Sequence, residues 1–412
     1  MIDHQKNWAG NYSFNATRLH RPTTIEQVQE IVSRARQIKV FGTRHSFNGV
    51  ADSTEDHISL EHLNKVIAFD RKRHTVTVEG GIRYSQLCPQ LHREGYALHN
   101  MASLPDVSVA GACATATHGS GDLNGNLATA VAALEIVKAD GTVVELSRER
   151  DGETFQGAVV GLGGLGVVTK LTLDLMPAFE MRQDFYGNLP LAQLEAQFDT
   201  IMSRAYSVSL FTDWRSAHFN KVWLKRRITE GPTAELEPIW CEATLLTEQR
   251  DAPGPWYERL PHYQIDYLPS RELQTEYMVP RQYAVEALRV VNGLREQIAP
   301  LLLGCEVRTV AADTLWMSPY YKQDCIALHF SWKIDWPSVS KLLPRIEEGL
   351  APFKARPHWG KLFAMPAKHV QSLYERLPDF QRLLREYDPQ AKFRNAFLDT
   401  YIFDGASLGI AA

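Results

Sequence analysis

The hexapeptide GLGGLG, Gly161 to Gly166, and the segment after it limit the possible folds more than any other feature. The hexapeptide matches the G-x-G-x-x-G pattern of Rossmann turns, in which a strand precedes the glycines and a helix begins after them. Here the next residues are VVTKLTLDL, and their alternation of apolar and polar side chains predicts a strand. Without a helix, no helix N-terminus is directed at phosphate groups. The sequence therefore argues against a Rossmann fold, and it has no Walker A lysine motif either.

Two other glycine-containing segments have the composition of loops that bind phosphate through backbone N–H groups. In FGTRHSFN (41–48), which follows a predicted strand at Ile38–Phe41, His45 stands three residues after Gly42. In Ser103–Gly121, almost every residue from Ser108 onward is small, which lets the backbone approach a large flat ligand closely. Two plainer interpretations compete with ligand binding: a loop histidine that caps its own backbone, and a small-residue packing seam under a helix.

The first roughly 175 residues interleave short strands with only a few helices, which is typical of an α+β fold rather than a regular βαβ repeat. Helical spacing after Pro22 predicts a helix from Ile25 to Ala35, with Thr23 or Thr24 as its N-cap. The other predicted elements here are strands at Val66–Phe69 and Thr75–Glu79, a helix at Tyr84–Glu94, and a hairpin of Ala130–Lys138 with Thr142–Leu146 around Asp140-Gly141.

Composition changes after the segment LTLDLMPAF, where tryptophan, tyrosine and proline become frequent. Such a change predicts a second domain with long surface connections. We predict a first domain over residues 1–178 and a second over residues 179–355. A C-terminal segment, 356–412, is expected to return to the first domain.

The bulk composition excludes several classes of protein. The 412 residues are 44% hydrophobic and 22% charged, and the formal charge of −4 is spread without long runs of one sign, so no nucleic-acid binding is expected. No apolar run reaches the length of about 18 residues that would span a membrane. The five cysteines are scattered without CxxC spacing and predict neither a disulfide framework nor a zinc site. The N-terminus does not have the pattern of a signal peptide, and a cytoplasmic location is expected.

Six segments taken together carry a resemblance to a known family: GTRHSFN, SLPDVSVAGACATATHGSG, GGLGVVTKLTL, EVRTVAAD, LHFSW and RPHWGK. In this order, and with NWAGN near the N-terminus, they resemble the vanillyl-alcohol-oxidase (PCMH-type) FAD flavoproteins, in particular the branch of sugar-alcohol and aldonolactone oxidases. The resemblance implies an α+β fold, with a two-subdomain PCMH-type FAD-binding domain and an α+β cap domain for the substrate. It also implies that FAD is bound covalently to His45. The chemistry agrees, since a neutral imidazole nitrogen is a nucleophile.

The resemblance assigns the FAD contacts to residues on both glycine segments, on the strand after GLGGLG and in the tail. These are Val40, Phe41, Gly42, Thr43, Arg44, His45, Ser46, Ser103, Ser108, Gly111, Thr115, Ala116, Thr117, His118, Val168 and His358. For His118, a loop histidine satisfied by protein groups is an equal alternative.

Glu306 and Arg308 in CEVRT lie two residues apart, and therefore on one face if this run is a strand. Such a pair is an ordinary ion pair in most proteins, but in a pocket it can orient and polarise a hydroxyl group. The resemblance implies a catalytic set and a substrate-binding set that overlap. The catalytic residues are Glu306, Arg308 and Lys361, and the substrate contacts are Ser103, Glu306, Arg308, Ser331, Lys361, His329 and Gln274. The plainer interpretation of Lys361 is a solvated surface lysine.

The activity that the resemblance implies is oxidation of the terminal hydroxyl of a polyol such as xylitol or sorbitol. Hydride passes to flavin N5, and O2 is reduced to H2O2. Ala102 is small and is expected to leave space for O2 beside the flavin. Ser331 stands where we expect threonine in relatives, which bears on the range of substrates rather than on the reaction.

Three other functions compete with this one. Two are flavoenzymes: an aldonolactone oxidase, and a flavin dehydrogenase with an acceptor other than oxygen. The third is a flavin-free carbohydrate-binding protein, in which Trp316, Trp332 and Trp359 stack on sugar rings. The preferred hypothesis is a monomeric enzyme whose partners are a small polyol and O2.

Overall fold

A computed structural model describes residues 6–228, 244–245, 253–263 and 272–403 of the chain. The N-terminal part alternates short strands with helices. Its strands are β1 (Arg18–His20), β2 (Ile38–Val40), β3 (Asp56–Ile58), β4 (Val66–Asp70), β5 (Thr75–Glu79), β6 (Tyr96–Ala97), β7 (Val131–Val137), β8 (Val143–Ser147), β9 (Val167–Asp174) and β10 (Met176–Pro177). Its helices are α1 (Ile25–Arg34), α2 (Tyr84–Arg93), α3 (Val109–Ala114) and α4 (Arg148–Val159).

Two sheets organise this part. In the described residues, β1, β3 and β2 form a parallel sheet in that order, and β4-β5-β9-β7-β8 form an antiparallel sheet. The predicted hairpin is the β7–β8 pair. Helix α1 begins after Thr24, whose side chain accepts a hydrogen bond from the Gln27 N–H as an N-cap should. Helix α4 precedes GLGGLG and strand β9 follows it, so the rejection of a Rossmann turn is confirmed.

The rest of the described chain is dominated by longer strands. They are β11 (Glu180–Gly187), β12 (Leu189–Pro190), β13 (Ser207–Thr212), β14 (His218–Phe219), β15 (Lys221–Arg227), β16 (Thr244–Leu245), β17 (Gly254–Pro255), β18 (Leu273–Pro280), β19 (Leu302–Val310), β20 (Cys325–Trp332) and β21 (Arg356–Pro357). The helices are α5 (Leu191–Met202), α6 (Trp256–Arg259), α7 (Ala284–Gly293), α8 (Arg295–Ile298), α9 (Trp336–Leu350), α10 (Ala367–Ser372), α11 (Leu377–Tyr387) and α12 (Ala396–Tyr401).

An antiparallel sheet of nine strands, counted over the described ranges, joins most of these strands. Its order is β16-β11-β15-β13-β19-β20-β18-β21, with β17 paired to β11. In the register, His329 of β20 lies opposite both Glu276 of β18 and Glu306 of β19. Because residues directly opposite in a sheet point to the same face, these three polar side chains form one row.

The C-terminal segment contacts the N-terminal part of the chain. The Phe47 N–H donates to the Gly360 carbonyl at 2.8 Å. The side-chain amide of Asn395 donates to the Gly49 carbonyl at 3.0 Å and to the Asp52 carbonyl at 2.8 Å. The tail therefore contacts the N-terminal part, and the three domains with their boundaries stay predictions. Within the described ranges, no helix has both the length and the apolar character needed to cross a membrane.

Candidate active site

A cavity of about 810 Å³ lies between the loops of the N-terminal part and one face of the nine-stranded sheet. Its volume falls in the range typical of ligand pockets. The cavity brings together nearly all the site residues predicted from the sequence. They are Val40, Phe41, Gly42, Thr43, Arg44, His45, Ser46, Ser103, Ser108, Gly111, Thr115, Thr117, His118, Val168, Gln274, Glu306, Arg308, His329, Ser331, His358 and Lys361.

Ala116 is the predicted site residue that the cavity wall does not include. It is fully buried and has a left-handed backbone, with φ of 52°. Its neighbours Thr115 and Thr117 both line the cavity. The structure therefore places Ala116 in the turn behind the wall, and a contact between its side chain and a ligand stays a prediction.

The loop after β2 offers backbone donors to the cavity. Within the described residues, the N–H groups of Gly42, Thr43, His45 and Ser46 donate to no protein acceptor. A Cβ on Gly42 would lie 2.0 Å from Ser108 Oγ, so only glycine lets the two segments approach this closely. Unpaired N–H groups in one loop form an anion-binding concavity. This part of the wall therefore suits a phosphate group.

His45 is held on two sides. Its ring stacks on Trp8, with the ring centroids 5.1 Å apart, and Nδ1 lies 2.8 Å from Thr43 Oγ1. Burial lowers the pKa of His45 to about 4. The imidazole is therefore neutral near pH 7, the state in which a ring nitrogen is a nucleophile.

The small-residue segment serves both purposes considered for it. Helix α3 buries Ala112 and Cys113 in the hydrophobic core. Ser108, Gly111 and Thr115 face the cavity from the same segment. The segment is therefore a packing seam on one side and a ligand wall on the other.

The GLGGLG loop also lines the cavity, and a buried lysine supports it from behind. Lys39 of β2 is 1% exposed, and its Nζ donates to the carbonyls of Leu162 at 3.1 Å and Gly163 at 2.9 Å. Burial lowers the pKa of Lys39 to about 7. No sequence pattern marked Lys39, because a lysine in a three-residue strand gives no sign of what covers it.

At the sheet end of the cavity, Glu306 and Arg308 project from the same face of β19. Glu306 Oε1 lies 3.5 Å from Arg308 Nε, and both atoms are buried. Neither atom has a hydrogen-bond partner among the described residues. Arg308 Nη1 donates to Ser103 Oγ at 3.3 Å, which ties the sheet to the loop on the other side. An unpaired buried donor beside an unpaired buried acceptor marks a place for a polar ligand.

Hydrogen-bond direction can be followed from Lys361 to Ser331. Lys361 Nζ lies 3.2 Å from His329 Nδ1, and His329 Nε2 lies 3.2 Å from Ser331 Oγ. An ammonium has donors only, so the charged form of Lys361 requires the His329 tautomer in which Nδ1 accepts and Nε2–H donates to Ser331 Oγ. Burial lowers the pKa of His329 to about 4, consistent with a neutral ring. Ser331 therefore keeps its own O–H free to donate into the cavity. The same ammonium donates to Gln274 Oε1, so Lys361 is part of a buried network rather than a solvated surface lysine.

Sequence reasoning missed Glu276 and His262 at this end of the cavity. Glu276, 1% exposed, lies two positions after Gln274 on β18, and this spacing puts both on the cavity face. The same spacing that singled out Glu306 and Arg308 would have found it. His262 has its Nδ1 2.9 Å from Ser103 Oγ and its Nε2 3.5 Å from Glu306 Oε1. No local pattern marks His262, which tertiary contacts bring to the site.

The three tryptophans proposed to stack on sugar rings are in the core. Trp316 is 5% exposed, and Trp332 and Trp359 are fully buried. None of the three lines the cavity. The interpretation as a carbohydrate-binding protein that uses these rings is therefore wrong.

Comparisons with known families agree with this geometry. Residues 16–147 match the family model of the FAD binding domain, and residues 267–401 match the model of D-arabinono-1,4-lactone oxidase. The solved structure of cholesterol oxidase from B. sterolicum superimposes with a TM-score of 0.81, and the match covers 96% of each chain. At 15% identity this likeness concerns the fold alone. It confirms the predicted α+β, PCMH-type fold.

Fold and domain matches together define an FAD-dependent oxidoreductase. The chain is 46% identical to alditol oxidase of Streptomyces sp. over 95% of its own length and 97% of that protein. It is 28% identical to L-gulonolactone oxidase of Mus musculus over 97% and 98% of the two chains. The chain belongs to the family of FAD-dependent sugar-alcohol and aldonolactone oxidases.

The residues present fit FAD. The N–H groups of Gly42, Thr43, His45 and Ser46, which have no acceptor among the described residues, suit the pyrophosphate, and the cavity extends from there to the polar end at Glu306 and Arg308. A side chain on Gly42 would collide with Ser108 Oγ, which shows how closely the loop after β2 and the start of α3 approach along this wall. The predicted cofactor class is therefore FAD.

Proposed function

We propose that this protein is an alditol oxidase that converts the terminal CH2OH of a polyol, such as xylitol or sorbitol, into an aldehyde and reduces O2 to H2O2. The 46% identity with a protein named alditol oxidase supports the substrate class. A wall of hydroxyl, carboxylate, guanidinium and ammonium groups at one end of the cavity also supports it. A polyol needs such a wall, because each buried hydroxyl without a partner costs on the order of 1–3 kcal/mol.

The observation that carries the proposal is the Glu306–Arg308 ion pair, whose two facing atoms have no hydrogen-bond partner among the described residues. A hydroxyl group is both a donor and an acceptor. Placed between the two side chains, it donates to Glu306 Oε1 and accepts from Arg308 Nε–H, two buried atoms that have no hydrogen-bond partner in the described part of the protein. The atoms lie 3.5 Å apart, so one oxygen can reach both.

In this arrangement Glu306 takes the hydroxyl proton, and Arg308 stabilises the negative charge that develops on the alcohol oxygen. Ser331 and Ser103 bind further oxygens of the chain, and Lys361 contributes a positive charge to the same wall. Bound FAD would supply the acceptor for the hydride that leaves the alcohol carbon and the route by which the electron pair reaches O2.

We also propose that His45 holds the FAD covalently. The support is its neutral state and its position in the cavity wall beside the free N–H groups. A tethered cofactor is preorganised, since its position no longer depends on a binding equilibrium. The expected FAD contacts are the predicted residues that line the cavity.

Acceptance of electrons by O2 is supported by Ala102, which lines the cavity and is 5% exposed. A small side chain there leaves space for O2. The cytoplasmic location and the monomeric state stay predictions from the sequence.

An aldonolactone oxidase is the second candidate function. The match of residues 267–401 to the D-arabinono-1,4-lactone oxidase model favours it. The unpaired donor and acceptor at Glu306 and Arg308 suit the hydroxyls of a lactone as well as those of a polyol.

The deciding experiment has two parts: peroxide formation by the native protein is measured in air with xylitol, sorbitol and an aldonolactone, and a separate sample of the purified protein is precipitated with acid to locate the yellow colour. Peroxide from a polyol and a yellow pellet are expected. Peroxide from the lactone alone would refute the polyol assignment. A colourless pellet under a yellow supernatant would refute the covalent bond and leave the oxidase function intact. A reduced flavin that O2 does not reoxidise would refute the oxidase in favour of a dehydrogenase.

A further inference from the structure

We propose that Glu276 is a positioning residue of the substrate-binding end of the cavity, and that its carboxylate fixes Arg308 and Lys361 in the places where they meet the substrate. The inference rests on the proposed function of this site. Sequence reasoning assigned Glu276 no role.

Each carboxylate oxygen of Glu276 lies near two nitrogen-bearing side chains. Oε1 accepts a hydrogen bond from Arg308 Nη2 at 2.6 Å and lies 3.0 Å from His118 Nε2. Oε2 lies 3.5 Å from Lys361 Nζ and 3.5 Å from His329 Nδ1. The carboxylate is 1% exposed, so the contacts with Arg308, His118 and Lys361 replace its water.

The four partners come from four places in the chain. Arg308 is on β19 and His329 is on β20, while His118 follows α3 and Lys361 belongs to the tail after β21. Glu276 on β18 therefore joins the sheet to an FAD-binding segment and to the C-terminal segment. A single buried anion fixes the position of groups that no local structure holds together.

The contact with Arg308 decides which guanidinium atoms are left for the substrate. Nη2 is bound to Glu276 and Nη1 donates to Ser103, which leaves Nε unpaired among the described residues. Nε is the atom beside Glu306 Oε1. By accepting a hydrogen bond from Nη2, Glu276 holds Arg308 so that its Nε–H is left for the substrate hydroxyl.

Lys361 depends on Glu276 for its charge as well as its place. Burial lowers the pKa of Lys361, and the nearby Arg308 lowers it further, while Glu276 and Glu272 raise it. The other basic groups around it are His329 on β20 and His358 on its own segment. Without the Glu276 carboxylate, the ammonium would lose its proton at a lower pH.

The test is Glu276→Gln in the holoenzyme, with kcat/KM measured from pH 6 to pH 10 on whichever substrate the wild type oxidises best, polyol or lactone. We expect kcat/KM to fall at least tenfold at neutral pH. The alkaline limb of the profile, which we expect to follow the loss of the Lys361 proton, should move to lower pH by about 1 unit or more. A charge within ~4–6 Å has an effect of this size on a pKa. If the wild type oxidises only lactones, the proposed polyol substrate is refuted, and the positioning role of Glu276 is tested with the lactone instead.

Glu347→Gln provides the matched control, because Glu347 is also a buried carboxylate but does not line the cavity. Its alkaline limb should coincide with that of the wild type. Glu276→Asp keeps the charge but shortens the side chain by one methylene. It should lose kcat/KM through a higher KM while its alkaline limb stays near that of the wild type.

An unchanged alkaline limb in Glu276→Gln would overturn the inference, even if activity fell, since a purely structural role lowers activity equally at every pH. If the Gln variant does not fold, the Asp variant carries the test. An alkaline limb displaced in Glu276→Asp, despite the retained charge, would overturn the inference as well.

Discussion

Glu347 on α9 stabilises the back of the active-site sheet in a way that depends on pH. Its Oε1 accepts hydrogen bonds from Tyr277 Oη at 2.8 Å and from the Ala364 N–H at 2.7 Å. Tyr277 follows Glu276 on β18, and Ala364 lies three residues after Lys361. The carboxyl is 6% exposed. Glu347 therefore ties the strand and the tail segment of the site together from the opposite face of the sheet.

Burial is the larger influence on this carboxyl and outweighs both hydrogen bonds, so its pKa rises from 4.5 to about 7. The folded protein then holds a proton that the unfolded chain releases near pH 4.5. Stability from this proton is complete below pH 4.5 and is lost as the pH rises to about 7. The full difference is worth about 3 kcal/mol, at about 1.36 kcal/mol per pH unit.

Glutamine has the shape of the protonated carboxyl and does not titrate. Its Oε1 can accept both hydrogen bonds. We therefore expect Glu347→Gln to gain stability relative to the wild type as the pH rises, by about 2.5 kcal/mol between pH 5 and pH 8, the value that the two pKa values imply.

The measurement is urea unfolding of both proteins at pH 5 and pH 8, followed by tryptophan fluorescence. Every other titrating group is common to the two proteins and cancels in the comparison. Glu348→Gln is the control, because Glu348 is the next residue and is exposed. It shows how much of any change comes from removing one carboxylate charge at this end of α9. An equal difference between Glu347→Gln and the wild type at both pH values would refute the reasoning, because it would mean that folding does not raise this pKa.

Three further predictions concern the site and its supporting turns. Glu306→Gln should leave a folded, yellow protein whose kcat is lower by about 10²–10⁴-fold, the usual contribution of a general base, and near-normal turnover would remove Glu306 from the mechanism. His45→Ala should release all its FAD on acid precipitation, and a pellet that stays yellow would place the attachment elsewhere. Gly81→Ala should lower the free energy of unfolding by about 1–3 kcal/mol or more, because its Cβ would lie 1.8 Å from the backbone oxygen of Leu60. Gly293→Ala, where nothing lies within 4 Å, should cost nothing in the same urea titration.

Local sequence patterns were sufficient to predict the helices and strands whose apolar residues recur at the spacing of that element. The alternation after GLGGLG identified β9, and the spacing with a threonine cap identified α1, because each depends on neighbours within a few residues. The same logic placed Glu306 and Arg308 on one face of β19. The resemblance of six short segments was enough for the cofactor class.

The tertiary structure alone decided what surrounds these residues. Glu276 reaches the active site because β18 pairs with β20 in the register that sets it opposite His329, and that register joins residues more than 50 positions apart. His262 reaches Ser103 across an even longer separation. Register and burial depend on how whole elements pack, so no window of sequence contains them. The sequence by itself determined the fold class, the cofactor and most of the cavity wall. Only the packing decided which buried charges meet there and which donors are left for the substrate.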